Sequence, residues 1–264
     1  IILIFSDRYV TIGRVTVTIH KLEVIYMERR LAGLAPERVW YYFEELCRIP
    51  HGSGNTKQIS DYCANFAKER GLRYIQDEVG NVIIFKPAAP GYEGAPAAII
   101  QGHLDMVAEK TPSSSHDFLK DPLDLFVEDG WVGARDTTLG GDDGIAIAYA
   151  LALLEDDSLS HPALECVFTV EEETGMDGAY ALDMSVLQGK YLLNLDSEEE
   201  GTVLASCAGG LRKICTLPVE RREAEGAAYH LEITGLKGGH SGAEIHTEKG
   251  NAVILMGRLL YEIN

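Results

Sequence analysis

The sequence predicts an α/β fold, a sheet covered on both faces by helices, with a smaller α+β unit beginning towards its carboxyl end. Three observations carry this. Short, continuous apolar runs over 81–86, 97–101, 164–170 and 191–195 alternate with helical patterns, as strands buried on both faces do. The apolar, Ala-rich stretch 144–154 reads as a helix buried over much of its surface. After about Gly201 the texture changes, with strands expected over 214–220 and 229–234 and a helix over 251–263.

In chain order, the first 26 residues alternate Ile, Val and Thr with Asp7, Arg8, Arg14 and Lys21. They hold no continuous apolar region and no small-residue cleavage site, so they do not read as a secretory signal. Met27 followed by Glu28-Arg29-Arg30 looks like a start. Residues 1–27 are therefore expected to be a non-native or extension segment, with a genuine β-hairpin extension as the alternative. From Pro36, Val39, Phe43 and Leu46 recur at helical spacing until Pro50. After the loop His51-Gly52-Ser53-Gly54, Asn55 is expected to cap a second helix that runs to about Arg70 and ends at Gly71. Its apolar stripe is Ile59, Cys63, Phe66 and Ala67. A Pro/Gly/Ala loop over 87–96 separates the first two strands.

The 264 residues suit one large domain, or one domain and part of another. A hydrophobic fraction of 46% is that of a globular protein. A net charge of −18 argues against nucleic acid or an anionic membrane surface as partner. The apolar stretches fall short of the roughly 18 residues a membrane span needs. Cys47, Cys63, Cys166, Cys207 and Cys215 are scattered, with no C-x-x-C pair. They read as reduced thiols of a cytoplasmic protein rather than a disulfide framework.

Four clusters of His and acidic residues are expected just after strands, where α/β proteins form their binding sites. The first is His103-Leu104-Asp105, whose side chains two apart point the same way in extended chain. His103 can ligate a metal while Asp105 holds its other ring nitrogen; a surface turn is the alternative. The second, Gly140-Gly141-Asp142-Asp143-Gly144, opens the Ala-rich helix. Its carboxylates can cap that helix or bridge two cations. The third is Glu171-Glu172-Glu173-Thr174-Gly175, three carboxylates that repel one another unless a cation or solvent relieves them. The fourth is Asp196, after the run 191–195, with Glu198 to Glu200 read as a solvated face. Nitrogen and oxygen donors without cysteine suit zinc, cobalt or manganese.

Together these strings resemble the co-catalytic zinc peptidases and deacylases, a family that includes aminoacylase, glutamate carboxypeptidase and the carnosine-type dipeptidases. The family pattern is H-x-D, G-x-x-D-x-K-G, E-E-x-G and a later Asp. It is matched by His103-Leu104-Asp105, Gly140 to Gly144 without the lysine, Glu172-Glu173-Thr174-Gly175, and Asp196. The missing lysine resembles the aminoacyl-histidine dipeptidase branch, as do M-D-G-A (176–179), N-L-D-S-E-E-E-G (194–201), C-A-G-G (207–210) and G-L-K-G-G-H-S-G (235–242). The likeness runs from about Leu31 onward.

The resemblance implies a zinc-peptidase-like catalytic domain over 28–205, with a mixed, mainly parallel sheet flanked by helices, and the start of an α+β lid or dimerisation domain over 206–264. It implies two Zn2+ ions, with Co2+ or Mn2+ as substitutes. His103 and Asp196 would bind one, Glu173 the other, and Asp142 would bridge them, with a strained peptide to Asp143. Asp105 would orient His103, Glu172 would be the catalytic base, and His240 would contact substrate, a locally bonded loop histidine being its alternative. His51, His116, His161, His230 and His246 are read as surface or structural. The implied activity is hydrolysis of Xaa-His and other dipeptides in the cytoplasm, by a homodimer formed through the lid, with no nucleic-acid or membrane partner. A further family histidine lies beyond this sequence, so the chain alone is expected to be impaired. A carboxypeptidase or N-acyl amino-acid deacylase on the same scaffold, or a non-catalytic metal-binding fragment, are the competing readings.

Overall fold

The computed structural model describes residues 2–12, 15–25, 29–197, 201–207, 209, 213–223, 225–239 and 244–263. They fall into two compact units, Ile1–Thr202 and Val203–Asn264. At the amino end of the first unit, β1 (Ile2–Ile12) and β2 (Val15–Ile25) pair antiparallel, Ile2 opposite Ile25 and Ile12 opposite Val15.

Two helices follow, α1 (Glu37–Cys47) and α2 (Lys57–Glu69). The apolar residues expected to face inward do so: Val39, Phe43 and Leu46 on α1, and Ile59, Cys63, Phe66 and Ala67 on α2 are buried. The start of α2 differs from expectation. Thr56, not Asn55, precedes the first helical residue, and no side chain caps it. Asn55 Nδ2 donates instead to the carbonyls of Pro50 (3.3 Å) and Phe118 (3.5 Å), so its amide ties two loops together. Gly71 ends the helix at a φ of 66°, the left-handed conformation that favours glycine.

A five-stranded sheet forms the centre of this unit. Its strands are β3 (Arg73–Gln76), β4 (Val82–Lys86), β5 (Ala98–His103), β8 (Leu164–Thr169) and β9 (Tyr191–Asn194), in the spatial order β3-β4-β8-β5-β9. The β8–β5 and β5–β9 pairs are parallel and the β3–β4 and β4–β8 pairs antiparallel, so only β4 runs against the rest. A small antiparallel hairpin, β6 (Leu125–Glu128) and β7 (Trp131–Ala134), precedes α3 (Gly141–Glu155). Two short helices, α4 (Glu172–Gly175) and α5 (Asp177–Ala181), follow β8.

Strand alternation splits the core in two. Val82, Ile84, Ile100, Cys166 and Phe168 face the side on which α1, α2 and α3 supply Phe43, Leu46, Ile59, Phe66, Ile147 and Leu151. Ile83, Phe85, Ile99 and Val167 face the other side, under Leu182, Val186 and Leu187. Each fully buried aliphatic chain is worth about 1.5–3 kcal/mol. The small side chains of α3 matter to this packing: Ala146, Ala148 and Ala150 are buried, and α3 lies against α1 and β5. The mixed α/β sheet flanked by helices is as the sequence implied.

In the second unit, α6 (Ala252–Ile263) forms where a helix was expected. The strands expected over 214–220 and 229–234 do not form; apart from the partly buried Ile233 these residues are exposed, and they carry no ladder in the described structure. A strand is held by its ladder bonds rather than by its own composition. No described helix is long and apolar enough to cross a membrane.

One close approach governs how the helical layer meets the sheet. A Cβ at Gly102 would stand 2.6 Å from Asp143 Oδ2 and 2.8 Å from Ala146 Cβ. Gly102→Ala should therefore force the start of α3 off β5. A loss of about 1–3 kcal/mol in denaturant unfolding is expected, and an unchanged midpoint would contradict this packing.

Candidate metal centre

The sheet brings three of the four expected clusters to one edge through strand ends. His103 is the last residue of β5, Glu172 and Glu173 follow β8, and Asp196 follows β9. The fourth cluster arrives differently from expectation. Asp142 and Asp143 follow no strand directly; they belong to the opening of α3, after the β6–β7 hairpin and its connecting loop. Neither has helical backbone angles, and their peptide bond is cis. Gly140, at a φ of 69°, turns the chain into this segment.

The donor atoms converge. His103, Asp142 and Asp196 offer ligand atoms within 4.8 Å of one another, and so do His103, Glu172 and Glu173. His103 Nε2 lies 3.0 Å from Asp142 Oδ1 and 3.9 Å from Glu172 Oε2. Its Nδ1 lies 2.9 Å from the Asp105 carbonyl oxygen and 3.5 Å from Asp105 Oδ1. Nδ1–H donating to that carbonyl turns Nε2 towards the acidic groups, which is how metal-ligating imidazoles are oriented. The orienting contact expected from the Asp105 carboxylate thus comes first from its backbone.

The carboxylate of Asp105 has another task. It accepts hydrogen bonds from Ser53 Oγ (2.8 Å), the Glu172 amide (3.0 Å) and the Glu173 amide (3.3 Å). One buried acidic group therefore fixes the backbone that presents two others. Asp143, also buried, accepts from the His103 amide at 3.1 Å and joins the end of β5 to the start of α3. Glu171 is turned away from the cluster and accepts from the Gly54 amide (2.8 Å) and Thr56 Oγ1 (3.2 Å). Asn81 Oδ1 accepts from the Val170 amide at 3.1 Å while its Nδ2 donates to Gly178 O at 2.8 Å, bracing the turn beyond β8. Ser53, Asn81, Asp143 and Glu171 were given no such duty from the sequence. No periodicity marks these duties, because each is a bond to a group distant in the chain: the Asp105 carboxylate for Ser53 and backbone amides for the other three. His51, read as surface or structural, is buried with Nδ1 2.6 Å from Ile49 O. His240 lies outside the described residues.

The electrostatics follow from this crowding. Burial alone would push the His103 imidazole down, but bonds to Asp105 and Asp142 and the charge of Asp143 outweigh it and raise it to about 11. Burial raises Asp143 to about 7, with the charges of Asp196 and Asp142 adding to the rise and His103 opposing it. Glu172 and Glu173 are raised first by burial and then by neighbouring carboxylates, His103 again opposing. Asp105 is lowered: its bonds to His103, Ser53 and the Glu172 amide overcome burial. An imidazole and several carboxylate oxygens, short of positive charge, fit a divalent cation that accepts nitrogen and oxygen donors.

No protein-family model matches the chain. Over 232 residues, 87% of its length, the chain is 44% identical to the cytosol non-specific dipeptidase of Escherichia coli (strain K12). It spans about half of that relative's length, 48%. The fold is similar to the crystal structure of aminoacylhistidine dipeptidase from Vibrio alginolyticus, with a TM-score of 0.65 and 36% identity, over 87% of this chain and 47% of that one. Aminopeptidase PepT from Bacillus cereus gives a TM-score of 0.52 at 25% identity, over 62% of this chain and 44% of that one. The resemblance read from the motifs, and the α/β fold it implied, are borne out.

His103 and Asp143 both hold protons more tightly folded than unfolded, so the metal-free protein should lose stability as pH rises. The window for Asp143 runs from its ordinary 3.8 to about 7, and that for His103 from 6.5 to about 11. Thermal unfolding in chelator between about pH 6 and about pH 9 should show a falling midpoint, and added zinc should reverse the trend by replacing protons. A midpoint that rises with pH in chelator would contradict this electrostatic picture.

Proposed function

We propose that this chain carries the metal-binding part of a metal-dependent dipeptidase. The observation that carries the reading is the gathering of His103, Asp142, Asp196, Glu172 and Glu173 into two overlapping groups with donor atoms within 4.8 Å. It is supported by the similarity to a dipeptidase over most of the chain. In this reading His103 and Asp196 would hold one zinc ion and Glu173 a second, with Asp142 as a ligand available to both. When bound, the metals supply Lewis acidity to a water molecule and to the scissile carbonyl.

The chain's own groups do the rest. His103 is fixed by the Asp105 carbonyl, and Asp105 fixes the Glu172 and Glu173 backbone, so the donors are set before substrate arrives. Glu172, partly exposed and reaching towards His103 Nε2, takes a proton from the attacking water at its carboxylate and returns it to the departing amine. Burial first, and acidic neighbours next, raise its proton affinity, which suits a group that must both accept and release a proton. His240 contacts substrate, and dipeptides of the Xaa-His kind are the expected substrates. A homodimer through 206–264 and a cytosolic setting belong to the same reading, the latter consistent with all five cysteines being free.

Glu172→Ala tests the assignment. Hydrolysis of β-alanyl-histidine and other dipeptides should fall by about a hundred- to ten-thousand-fold, while bound zinc measured by elemental analysis stays near the parent's. Zinc lost along with activity would make Glu172 a ligand rather than a base. Cleavage of N-acetyl amino acids with no dipeptide turnover would move the protein to the deacylases.

A further inference from the structure

The turn that carries Glu172 and Glu173 is bounded by two residues in the left-handed conformation, Glu171 at a φ of 58° and Met176 at 61°. Glycine takes that conformation freely, whereas a residue with a Cβ takes it only where its surroundings hold it there. α4 lies between the two, and the Met176 amide closes the turn by donating to the Glu171 carbonyl at 2.9 Å. Three consecutive glutamates enter this turn, so composition alone does not select which of them face the donor cluster.

Two sets of contacts make the selection. The Asp105 carboxylate accepts from the Glu172 and Glu173 amides. The Glu171 carboxylate is tied to the loop before α2: the Gly54 amide donates to both its oxygens, at 3.0 and 2.8 Å, and Thr56 Oγ1 donates at 3.2 Å. The same loop reaches the first anchor, because Ser53 Oγ donates to Asp105 Oδ2 and the Ser53 amide donates to Met106 O at 3.2 Å. We infer that Glu171 is a positioning residue for the metal centre: its bonds to Gly54 and Thr56 hold the left-handed angle and so fix Glu172 and Glu173 as the two glutamates that face His103. The inference rests on the metal-dependent reading above and extends it to a residue outside the donor cluster.

Glycine at this position separates the tether from the backbone angle. Glu171→Gly removes the carboxylate but accepts a φ of 58° without strain, so the metal-free protein should unfold at or above the parent's midpoint. Its zinc affinity, measured by competition with a chromophoric chelator, should nevertheless fall about ten- to a hundredfold, the cost of losing a group that orients ligands. The visible absorption of the cobalt-loaded protein should change with the ligand geometry. Glu171→Gln keeps an oxygen that can accept from Gly54 and Thr56, and should stay near the parent in both readouts. Parent-like affinity and spectrum in Glu171→Gly would overturn the inference. So would an equal loss in Glu171→Gln, which would assign the effect to charge rather than to the tether. If Glu171→Gly is too unstable to titrate, Thr56→Val takes its place: it keeps the glutamate and removes one donor, and should weaken zinc binding, parent-like affinity overturning the inference. His103→Ala separates the two claims. Zinc held equally by the parent and by His103→Ala removes the metal-centre reading and the inference with it, whereas zinc lost in His103→Ala but kept by Glu171→Gly removes the role of Glu171 alone.

Discussion

Crowding of negative charge around one buried imidazole is the constraint on which the rest of the structure turns. Two carboxylates as far apart as 4.8 Å, the outer limit of each donor group, repel by about 3 kcal/mol at an effective dielectric constant of about 20. Asp105, Asp142, Glu172, Glu173 and Asp196 all lie around His103. Protonation of His103 relieves part of this, which is why its proton is held so tightly. A divalent cation relieves it better, because it brings more charge and draws directly on the carboxylate oxygens.

A site of this kind survives only on a stiff frame, and the frame is built from uncharged or fully bonded pieces. Gly102 has no side chain to keep Asp143 and Ala146 away from β5. Asp143 spends its carboxylate on the His103 amide. Asp105 spends its own on Ser53 and two amides, and Glu171 spends its on the loop before α2. Beneath them, the sheet is buried on both faces by separate apolar clusters. The acidic groups thus divide into those that hold the backbone and those that face the cluster. That division gives the centre a fixed backbone and a set of carboxylates gathered around His103.

Much of this was legible in the sequence, for reasons that differ by element. The strands over 82–86 and 164–169 are mostly apolar and buried throughout, and such runs announce themselves. The donor residues were legible because H-x-D, G-G-D-D-G and E-E-T-G are compact strings with chemical meaning. The β6–β7 hairpin carries a strong turn signal in Asp129-Gly130, both at positive φ, but its strands are only four residues each and Leu125 alone is buried, so no clear strand alternation accompanies it. The edge strand β3 escaped notice for the same reason. The division of labour among Glu171, Glu172 and Glu173 was hidden, because three identical neighbours differ only in which amide or cavity each meets in the fold. In the second unit the helix 252–263 could be read from its own periodicity, whereas strands could not be secured without knowing their partners.

A metal ion in the space between these donors is the central requirement of the site. Anomalous diffraction at the zinc absorption edge from zinc-soaked crystals tests this most directly. A peak within coordination distance of His103 Nε2 and the carboxylates of Asp142 and Asp196, absent in His103→Ala, is the result predicted. Zinc located elsewhere on the protein, with His103 still bonded to Asp142 and the cluster unvisited, would contradict it.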